Sequence, residues 1–434
     1  MRIYLDLMRK LIQMTQDNIL KKDIGDLVRS SMIEYGEEVN KERSIPYYMD
    51  GLKPAHKRVI LTGLKFQNKT KTIVLAASTV QNYSPHGDAA LVPVISKLVQ
   101  WGIFTGQGAI GQLRPLIGTQ EDAAPRYTSA YLSETWRQLI SRVIYLVPKK
   151  LNSLGVEEPE YIPCPLPISL IYGRIGLGVG CRVKLPAFTA KSLLHAYLND
   201  DPNLLESNYG YHISKEKRDE LWNANSFNMT LSLPYTEDSD SITVTGDPEL
   251  VRINKKAFSY LNSGKMKFTD LSDKDGNRLQ FNREFNVRNF SIEDMKEAVR
   301  SSIHSTEEYN LLAYSNRGVY KMCLKKWIGI TYSNYLNLLK QDIEHKKNLL
   351  TRKLSIEKHF KNVAKELLSN SNLTNLEVSK KLGVDLEIVD AIGNRTISAL
   401  KNHTDSKAKL IKKEIKELSS FNSEQHIINV VEEM

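Results

Sequence analysis

A long helical pattern without a proline most constrains what this chain can fold into. Between residues 327 and 368, apolar residues recur at helical spacing among many lysines and glutamates. A helix of that length and charge is typical of an arm or a coiled coil rather than of a buried helix. A break at 370–375 follows, then a compact helical unit at 378–400. A returning charged helix is predicted at 406–418, with Asp405 as its candidate cap.

The composition is that of an ordinary globular protein with room for two to four domains. The chain has 434 residues, 41% of them hydrophobic, and 60 Lys and Arg outweigh 50 Asp and Glu to give a net charge of +10. That balance permits a polyanionic partner without requiring one. The three cysteines, Cys164, Cys181 and Cys323, show neither a CxxC pair nor zinc spacing, which favours free thiols in a reducing compartment.

The sequence does not predict a membrane segment. No apolar run approaches the roughly 20 residues that span a bilayer. Residues 1–10 carry charges inside their apolar run, so they make a poor signal peptide and instead predict an amphipathic helix. We therefore expect a cytoplasmic protein without a membrane partner.

The candidate for chemistry is the pair Arg126 and Tyr127, within Glu-Asp-Ala-Ala-Pro-Arg-Tyr-Thr at 121–128. A tyrosine oxygen can form a covalent phosphoryl intermediate, and an adjacent guanidinium can hold the phosphate through a bidentate contact. The run at 128–139 has a pattern that can form a helix. The pair alone is weak evidence, because the chain has 20 tyrosines and most tyrosines are core or surface aromatics.

Upstream, residues 50–58 (Asp-Gly-Leu-Lys-Pro-Ala-His-Lys-Arg) predict the start of a basic helix. Pro54 suits a first helical turn, and Lys53, His56 and Lys57 are spaced to share one face, with Arg58 next in the chain. A cationic helix start is an apt contact for DNA phosphates, because backbone N–H groups also point outward there. The alternative is an ordinary solvated basic face. Residues 65–71 are predicted to form a loop.

Two more segments lie between this helix and the tyrosine. Residues 84–90 (Ser-Pro-His-Gly-Asp-Ala-Ala) predict a turn that opens a helix at 89–100, and His86 could donate to a phosphate oxygen. Residues 106–111 (Gly-Gln-Gly-Ala-Ile-Gly) have neither the Lys-Ser/Thr ending of a P-loop nor dinucleotide-binding spacing. Their glycines instead favour close backbone approach.

In order, spacing and content these segments resemble the breakage-reunion subunit of type IIA DNA topoisomerases. That family includes the gyrase A subunit, the topoisomerase IV A subunit and the phage topoisomerase medium subunit, and the match is closest over 24–182. The resemblance implies that Tyr127 cuts DNA with Arg126 beside it, that Arg43 approaches the scissile phosphate, and that His86 assists. Ser84 departs from the family pattern, because it replaces the first histidine of His-Pro-His-Gly-Asp.

A glycine-rich stretch at 173–180 follows a proline-rich one. Four glycines in eight residues predict a strand pair that another backbone approaches closely. The resemblance puts Leu177 in place of an isoleucine that wedges between base pairs and bends the DNA, and leucine is an acceptable wedge. Arg174 would supply charge for nearby phosphates. The alternative is that Leu177 is a core residue.

The resemblance implies an α+β, multidomain fold. Residues 1–22 would form an N-terminal helical extension and 23–155 a winged-helix DNA-cleavage (breakage-reunion) domain. Residues 156–315 would form a mixed α/β tower domain, in which 229–233 and 241–245 alternate as strands do and 272–277 form a turn. Residues 316–434 would form a long coiled-coil arm with a small helical exit gate that closes a homodimer.

The sequence predicts one subunit of a larger enzyme, without the sites for ATP and metal ions. It has no P-loop, no metal ligands are assigned, and the Glu plus Asp-x-Asp set that holds magnesium in the family is not found. The resemblance implies that a separate ATPase and metal-binding subunit supplies Mg²⁺ and ATP, in a heterotetramer or similar assembly on double-stranded DNA. We expect a transient 5′-phosphotyrosyl link, then relaxation or decatenation without active negative supercoiling. The location would be the nucleoid or, for a virus, the host cytoplasm.

Two alternative functions stay open. One is a non-catalytic relative that binds and bends DNA through Leu177 and the basic helix, although the presence of Arg126, Tyr127 and His86 speaks against it. The other is a meiotic-type relative that breaks DNA without resealing it. The glycine loop at 106–111 and the long helical arm favour a true topoisomerase.

Overall fold

The computed structural model describes residues 23–84, 87–110, 122–152, 154–208, 213–245, 255–271, 278–285, 287–369, 373–395 and 406–434. Over these residues the fold mixes α-helices with several antiparallel sheets, which confirms the α+β class. No described helix is both long enough and apolar enough to cross a membrane. The predicted extension at 1–22, the turn at 272–277 and the cap Asp405 lie outside the described residues.

The N-terminal part packs helices around a small three-stranded sheet. Strand β3 lies in its centre, antiparallel to β1 and β2. A π-helical turn, Asn40–Ser44, continues the first helix. The elements are α1 (Ile24–Val39), α2 (Pro54–Lys65), β1 (Thr70–Lys71), α3 (Thr72–Tyr83), α4 (Val92–Gln100), β2 (Phe104–Gln107), β3 (Ser129–Leu132) and α5 (Glu134–Val143).

The helix predicted at 128–139 is wrong in its first part. Residues 129–132 form β3, because they pair with strands on both sides and three of their four side chains are buried. Helix α5 begins only after Ser133. The loop predicted at 65–71 is also shorter than expected, since α2 extends to Lys65 and β1 begins at Thr70. Helix α4 starts at Val92, later than predicted, with Pro93 in its first turn, where the missing N–H costs nothing.

The middle of the chain contains two four-stranded sheets, in the orders β6-β7-β13-β8 and β11-β12-β10-β9. The strands predicted at 229–233 and 241–245 are confirmed, in β8 and β10. The elements are β4 (Lys149–Leu151), β5 (Glu157–Pro159), α6 (Ile168–Tyr172), β6 (Arg174–Leu177), β7 (Arg182–Leu185), α7 (Ala190–Asn199), α8 (Lys215–Asn223), β8 (Ser226–Ser232), β9 (Tyr235–Glu237), β10 (Ser241–Thr245), α9 (Lys255–Asn262), β11 (Met266–Asp270), β12 (Arg278–Arg283), α10 (Ile292–Ser302), β13 (His304–Asn310), β14 (Leu312–Ser315) and β15 (Gly318–Lys321).

The C-terminal part is helical and confirms the long helix. It comprises α11 (Leu324–Ser369, 46 residues), α12 (Asn375–Leu382), α13 (Leu386–Gly393), α14 (Ser406–Ser419) and α15 (Ser423–Glu432). Helices α12 and α13 pack on the far end of α11 around a separate small core that includes Phe360, Val378 and Ile392. Helix α14 returns alongside α11. Helix α15 was not predicted, and it packs on α7 and α11.

The first part of α11 is buried, which corrects the expectation that the whole helix is an arm. Trp327 is fully buried and its indole N–H donates to the carbonyl of Tyr48 at 2.8 Å. The Tyr335 hydroxyl donates to the carbonyl of Leu139 at 3.0 Å. The helix leaves the main hydrophobic core after Leu339. The long helix is therefore rooted in the body of the protein, and only its remainder could serve as an arm.

Candidate functional site

Tyr127 lies on an exposed turn between β2 and β3. The turn is closed by a hydrogen bond from the Tyr127 N–H to the carbonyl of Ala124 at 2.8 Å, and the side chain is 65% exposed. The Arg126 guanidinium carbon lies 4.7 Å from the centre of the Tyr127 ring, a cation–π contact. The next residue, Thr128, is buried. Tyr127 is thus largely exposed while the backbone beneath it is fixed by hydrogen bonds.

The start of α3 holds this turn in place. Its first backbone N–H groups have no partner within the helix. The N–H of Thr72 donates to the carbonyl of Thr128 at 3.0 Å, and that of Ile73 donates to the carbonyl of Pro125 at 3.2 Å. The Thr128 hydroxyl donates to the Thr72 hydroxyl at 2.8 Å. A rigid helix therefore positions the residues on both sides of Arg126 and Tyr127.

The glycine loop lies against the same turn. Gly108 has a φ of +98°, and a Cβ there would lie 3.2 Å from the Thr128 side chain and 3.4 Å from the Tyr127 carbonyl oxygen. The N–H of Ala123 donates to the carbonyl of Ala109 at 2.9 Å. The predicted close backbone approach is confirmed at Gly108, although Gly106 and Gln107 belong to β2. Residues 111–121 lie outside the described part of the chain.

The glycine-rich stretch forms the predicted strand pair, β6 and β7, with Leu177 at its turn. Leu177 is 74% exposed, so the alternative that it is a core residue is wrong. A Cβ at Gly176 would lie 2.1 Å from the carbonyl oxygen of Ser44, which confirms the approach of another backbone. Arg174 belongs to β6, but its side chain lies outside the described part of the structure.

Four hydrogen bonds fasten this hairpin to the turn that carries Arg43 and to the residue that precedes α2. The Ser44 hydroxyl donates to the carbonyl of Leu177 at 2.7 Å, and the Lys53 ammonium donates to the carbonyl of Ile175 at 3.4 Å. The Asn40 amide accepts from the N–H of Val179 at 2.9 Å and donates to its carbonyl at 3.1 Å. Arg43 is exposed on the π-helical turn between Asn40 and Ser44. Arg43, Lys53 and Leu177 therefore belong to one braced unit.

The predicted cationic face of α2 is wrong for three of its four residues. His56, Lys57 and Arg58 are each at most 6% exposed. His56 stacks on Trp101 with ring centres 5.5 Å apart. Lys57 lies 2.8 Å from a Glu158 oxygen, and Arg58 lies 3.3 Å from the other. A side chain enclosed in this way cannot also contact a DNA phosphate, so these residues support the fold.

Glu158 is a residue that the sequence analysis missed. It is fully buried on β5 and compensates Lys57 and Arg58, and Arg58 also lies 3.2 Å from Glu42. Burial opposes its ionisation, but the two adjacent cations keep the pKa of the Glu158 carboxyl below its usual value. The separation of about a hundred residues leaves no local sequence signal for this pairing. Asn40, Ser44 and Thr72 were missed for the same reason.

His86 lies outside the described residues, so its predicted role stays a prediction.

Comparison with known proteins gives a family assignment. The family of DNA gyrase and topoisomerase IV A subunits matches residues 43–433. The DNA gyrase A subunit of Deinococcus deserti is 30% identical over 198 residues, which cover 42% of this chain and 24% of that protein. The DNA gyrase A subunit of Mycobacterium bovis is 31% identical over 195 residues, which cover 42% and 22%. The aligned region thus spans about a quarter of these relatives. Because the family match covers most of the chain and confirms the resemblance of its motifs, this protein belongs to the family of DNA gyrase and topoisomerase IV A subunits.

Proposed function

We propose that this chain is the DNA-cleaving and rejoining subunit of an ATP-dependent type IIA topoisomerase, with Tyr127 as the nucleophile. The observation that carries the proposal is the exposed Tyr127 phenol, on a turn fixed by α3, with the Arg126 guanidinium against its ring. A nucleophile must reach a large polymer and still be held in place, and this turn meets both needs.

The proposed reaction is a transesterification. The Tyr127 oxygen attacks a backbone phosphorus and loses its proton, the P–O3′ bond breaks, and the departing 3′ oxygen takes up a proton. The product is a 5′-phosphotyrosyl link, and the 3′ hydroxyl reverses the same step. One phosphodiester replaces another, so resealing needs no ATP. Arg126 would offset the negative charge that develops on the phosphoryl oxygens.

The braced hairpin supports a role in shaping the bound duplex. Leu177 would enter between base pairs as an apolar wedge, since a side chain held on a rigid, fastened turn can transmit force to the stack. Arg43 and Lys53, on the segment that braces the hairpin, would contact nearby phosphates. His86 and Arg174 are proposed to assist at the scissile phosphate and at the backbone, respectively.

The proposal assigns Mg²⁺ and ATP to a separate subunit. In the described part of the chain no three His, Cys, Asp or Glu side chains come together as metal ligands would. These residues do not fit a magnesium site, and we derive no step through a metal ion. Two copies of this chain would cut both strands, in a heterotetramer with the ATPase subunit, allowing relaxation or decatenation.

The domain assignments follow from this function. Residues 23–155 would be the winged-helix cleavage domain, 156–315 the tower that supports the DNA, and 316–434 the region of the arm and dimer gate, with 1–22 as an extension. Within 316–434, the first part of α11 and helix α15 belong to the main core and would anchor the arm. The antiparallel α11 and α14 and the small core of α12 and α13 support an arm that ends in a compact gate.

A denaturant-quenched cleavage assay tests the proposal. The chain is purified with its ATPase subunit, mixed with Mg²⁺ and end-labelled duplex, and the peptide bonded to DNA is mapped. We expect a 5′ adduct on Tyr127 that is absent in Tyr127→Phe, with DNA binding retained. Tyr131→Phe, four residues along on β3, is the matched control and should keep the adduct. An adduct that persists in Tyr127→Phe would refute the assignment.

A second assay tests the hairpin. Leu177→Ala should reduce the bending of a short duplex, measured by energy transfer between its ends, while Leu177→Ile should retain the bend because it keeps an apolar wedge. Bending that is unchanged in Leu177→Ala would remove the wedge from the proposal without affecting the role of Tyr127.

A further inference from the structure

The positive charge of this protein is concentrated on its two antiparallel C-terminal helices. Helix α11 carries ten Lys and Arg against four Asp and Glu, a net charge of +6. Helix α14 carries five Lys against two Glu, a net charge of +3. The whole chain has a net charge of +10, so the rest of the protein is close to neutral. The surplus charge therefore lies far along the chain from Tyr127.

Four lysines of α11 fall on one face. Lys340, Lys347, Lys358 and Lys365 are 7, 11 and 7 residues apart. At about 100° per residue these intervals bring them within about 20° of one another around the helix axis. At about 1.5 Å per residue they span about 38 Å. We refer to these four residues as the lysine stripe.

The lysine stripe is exposed to solvent, and its charges have no acidic partner among the described residues. Lys340, Lys358 and Lys365 are exposed and Lys347 is half-buried. Within the described part of the chain none of the four forms an ion pair, unlike Lys346, which lies 2.8 Å from Asp342. Glu344 lies near the first two lysines, so the stripe is purely basic only from Lys347 onward.

Other faces of α11 already have neighbours within the chain. Leu349, Leu350 and Lys353 line a groove of about 450 Å³ with Leu418 of α14 and Phe421. Phe360 and Val363 pack in the small core with α12 and α13. The stripe lies on a different side, and four lysines cannot form an apolar coiled-coil seam. Among the described residues nothing covers this face, which can therefore take a polar partner.

We propose that the lysine stripe binds the backbone of a DNA duplex, as a second contact separate from the cleavage site. A stripe of about 38 Å matches about 11 base pairs, one turn of duplex, at the spacing of 3.4 Å per pair. The ammonium groups are about 10 to 16 Å apart along the axis, beyond the Debye length of about 8 Å at physiological salt, so they repel one another little without DNA. The inference rests on the proposed function, which brings DNA to this protein.

The test measures the salt dependence of binding to a long duplex by the assembled protein. In a variant with all four lysines changed to Gln, the slope of log K against log salt should fall by about 3.6 per protomer. Between 50 and 200 mM salt, affinity should therefore change about 150-fold less than in the unsubstituted protein for each protomer whose stripe binds the duplex. Changing the four to Arg should restore the slope, since the charges return.

Two comparisons make the result decisive. Changing Lys407, Lys409, Lys412 and Lys416 of α14 to Gln removes the same charge from the neighbouring helix and should leave the slope unchanged. An equal loss of slope in this control would overturn the proposal, because the effect would then come from the overall positive charge rather than from the stripe. A stripe variant with unchanged slope would overturn the inference outright. The stripe variant should still form the Tyr127 adduct on a duplex of about 20 base pairs. If the proposed function is wrong, the unsubstituted protein forms no such adduct either, so the two failures are distinguishable.

Discussion

Replacing Glu158 by Gln tests whether Lys57 and Arg58 are structural residues. The change keeps the size of a fully buried side chain but removes the charge that compensates two buried cations, at 2.8 and 3.3 Å. Breaking a buried ion pair from one side costs about 3–5 kcal/mol. Arg58 keeps Glu42 at 3.2 Å, and Lys57 keeps two carbonyl acceptors, at 3.1 and 3.4 Å. We therefore expect a loss of about 3 kcal/mol, the lower end of that range.

Hydrogen exchange of α2 is the appropriate measurement, because a chain of several units need not unfold in one step. A loss of about 3 kcal/mol corresponds to amide protection about a hundredfold lower. Glu157→Gln is the matched control on the same strand. Glu157 and its partner Lys149 are 67% and 58% exposed and 3.8 Å apart, so their pair contributes less than about 1 kcal/mol.

The reasoning would be refuted if Glu158→Gln lowered protection no more than Glu157→Gln. A complementary outcome concerns Lys57→Gln. If Lys57 were a DNA contact, this variant would weaken short-duplex binding and leave the protection of α2 unchanged. Because Lys57 is buried beside Glu158, we expect Lys57→Gln to lower the protection of α2 and to leave short-duplex binding unchanged. The variant that combines Lys57→Gln with Glu158→Gln should lose less stability than the two single variants added together.

Three further predictions concern Gly176, Asp50 and Asp342. Gly176→Ala should displace the Leu177 hairpin and reduce cleavage, because its Cβ would lie 2.1 Å from the Ser44 carbonyl oxygen; Gly329→Ala, whose Cβ would meet only the Tyr197 side chain at 3.3 Å, should leave cleavage unchanged. Burial raises the pKa of the Asp50 carboxyl to about 7, so between about pH 4 and 7 only the folded state holds its proton. The free energy of unfolding should therefore fall by up to about 4 kcal/mol as pH rises through that window. A free energy of unfolding that does not change with pH in this window would contradict the prediction. Asp342→Ala should lower hydrogen-exchange protection of α11 by about 1–2 kcal/mol, because it removes a buried carboxylate from Arg142 and Lys346, whose partly exposed side chains can still be solvated; Glu344→Ala on the exposed side of α11 should cost under about 0.5 kcal/mol.

Features that depend on local pattern were predicted well. The long helix follows from unbroken helical periodicity, and β8 and β10 follow from alternation over a few residues. The hairpin of β6 and β7 follows from its glycines, since only a residue without a side chain permits the contact of Gly176 with Ser44. In each case the decisive residues lie close together in the sequence.

Features that depend on distant partners were not predicted. Whether Lys57 faces DNA or the core depends on Glu158, a hundred residues later. Residues 129–132 form a strand because β1 and β2 provide partners on both sides, although their own pattern also suits a helix. Helix α15 returns to the core and buries Ile427 and Val431 against elements that precede it by many residues.

The sequence by itself determined the long helix and the motif that carries Arg126 and Tyr127, because short-range periodicity and residue chemistry determine them. The α+β class followed from the resemblance of the motifs to a known family. The tertiary structure decided which charged side chains are exposed and so can contact a partner. It enclosed His56, Lys57 and Arg58, fixed the Tyr127 turn on α3, and left Leu177 and the lysine stripe exposed. The physical reason is that burying a charge is favourable only with a compensating partner, and such a partner can come from any part of the chain.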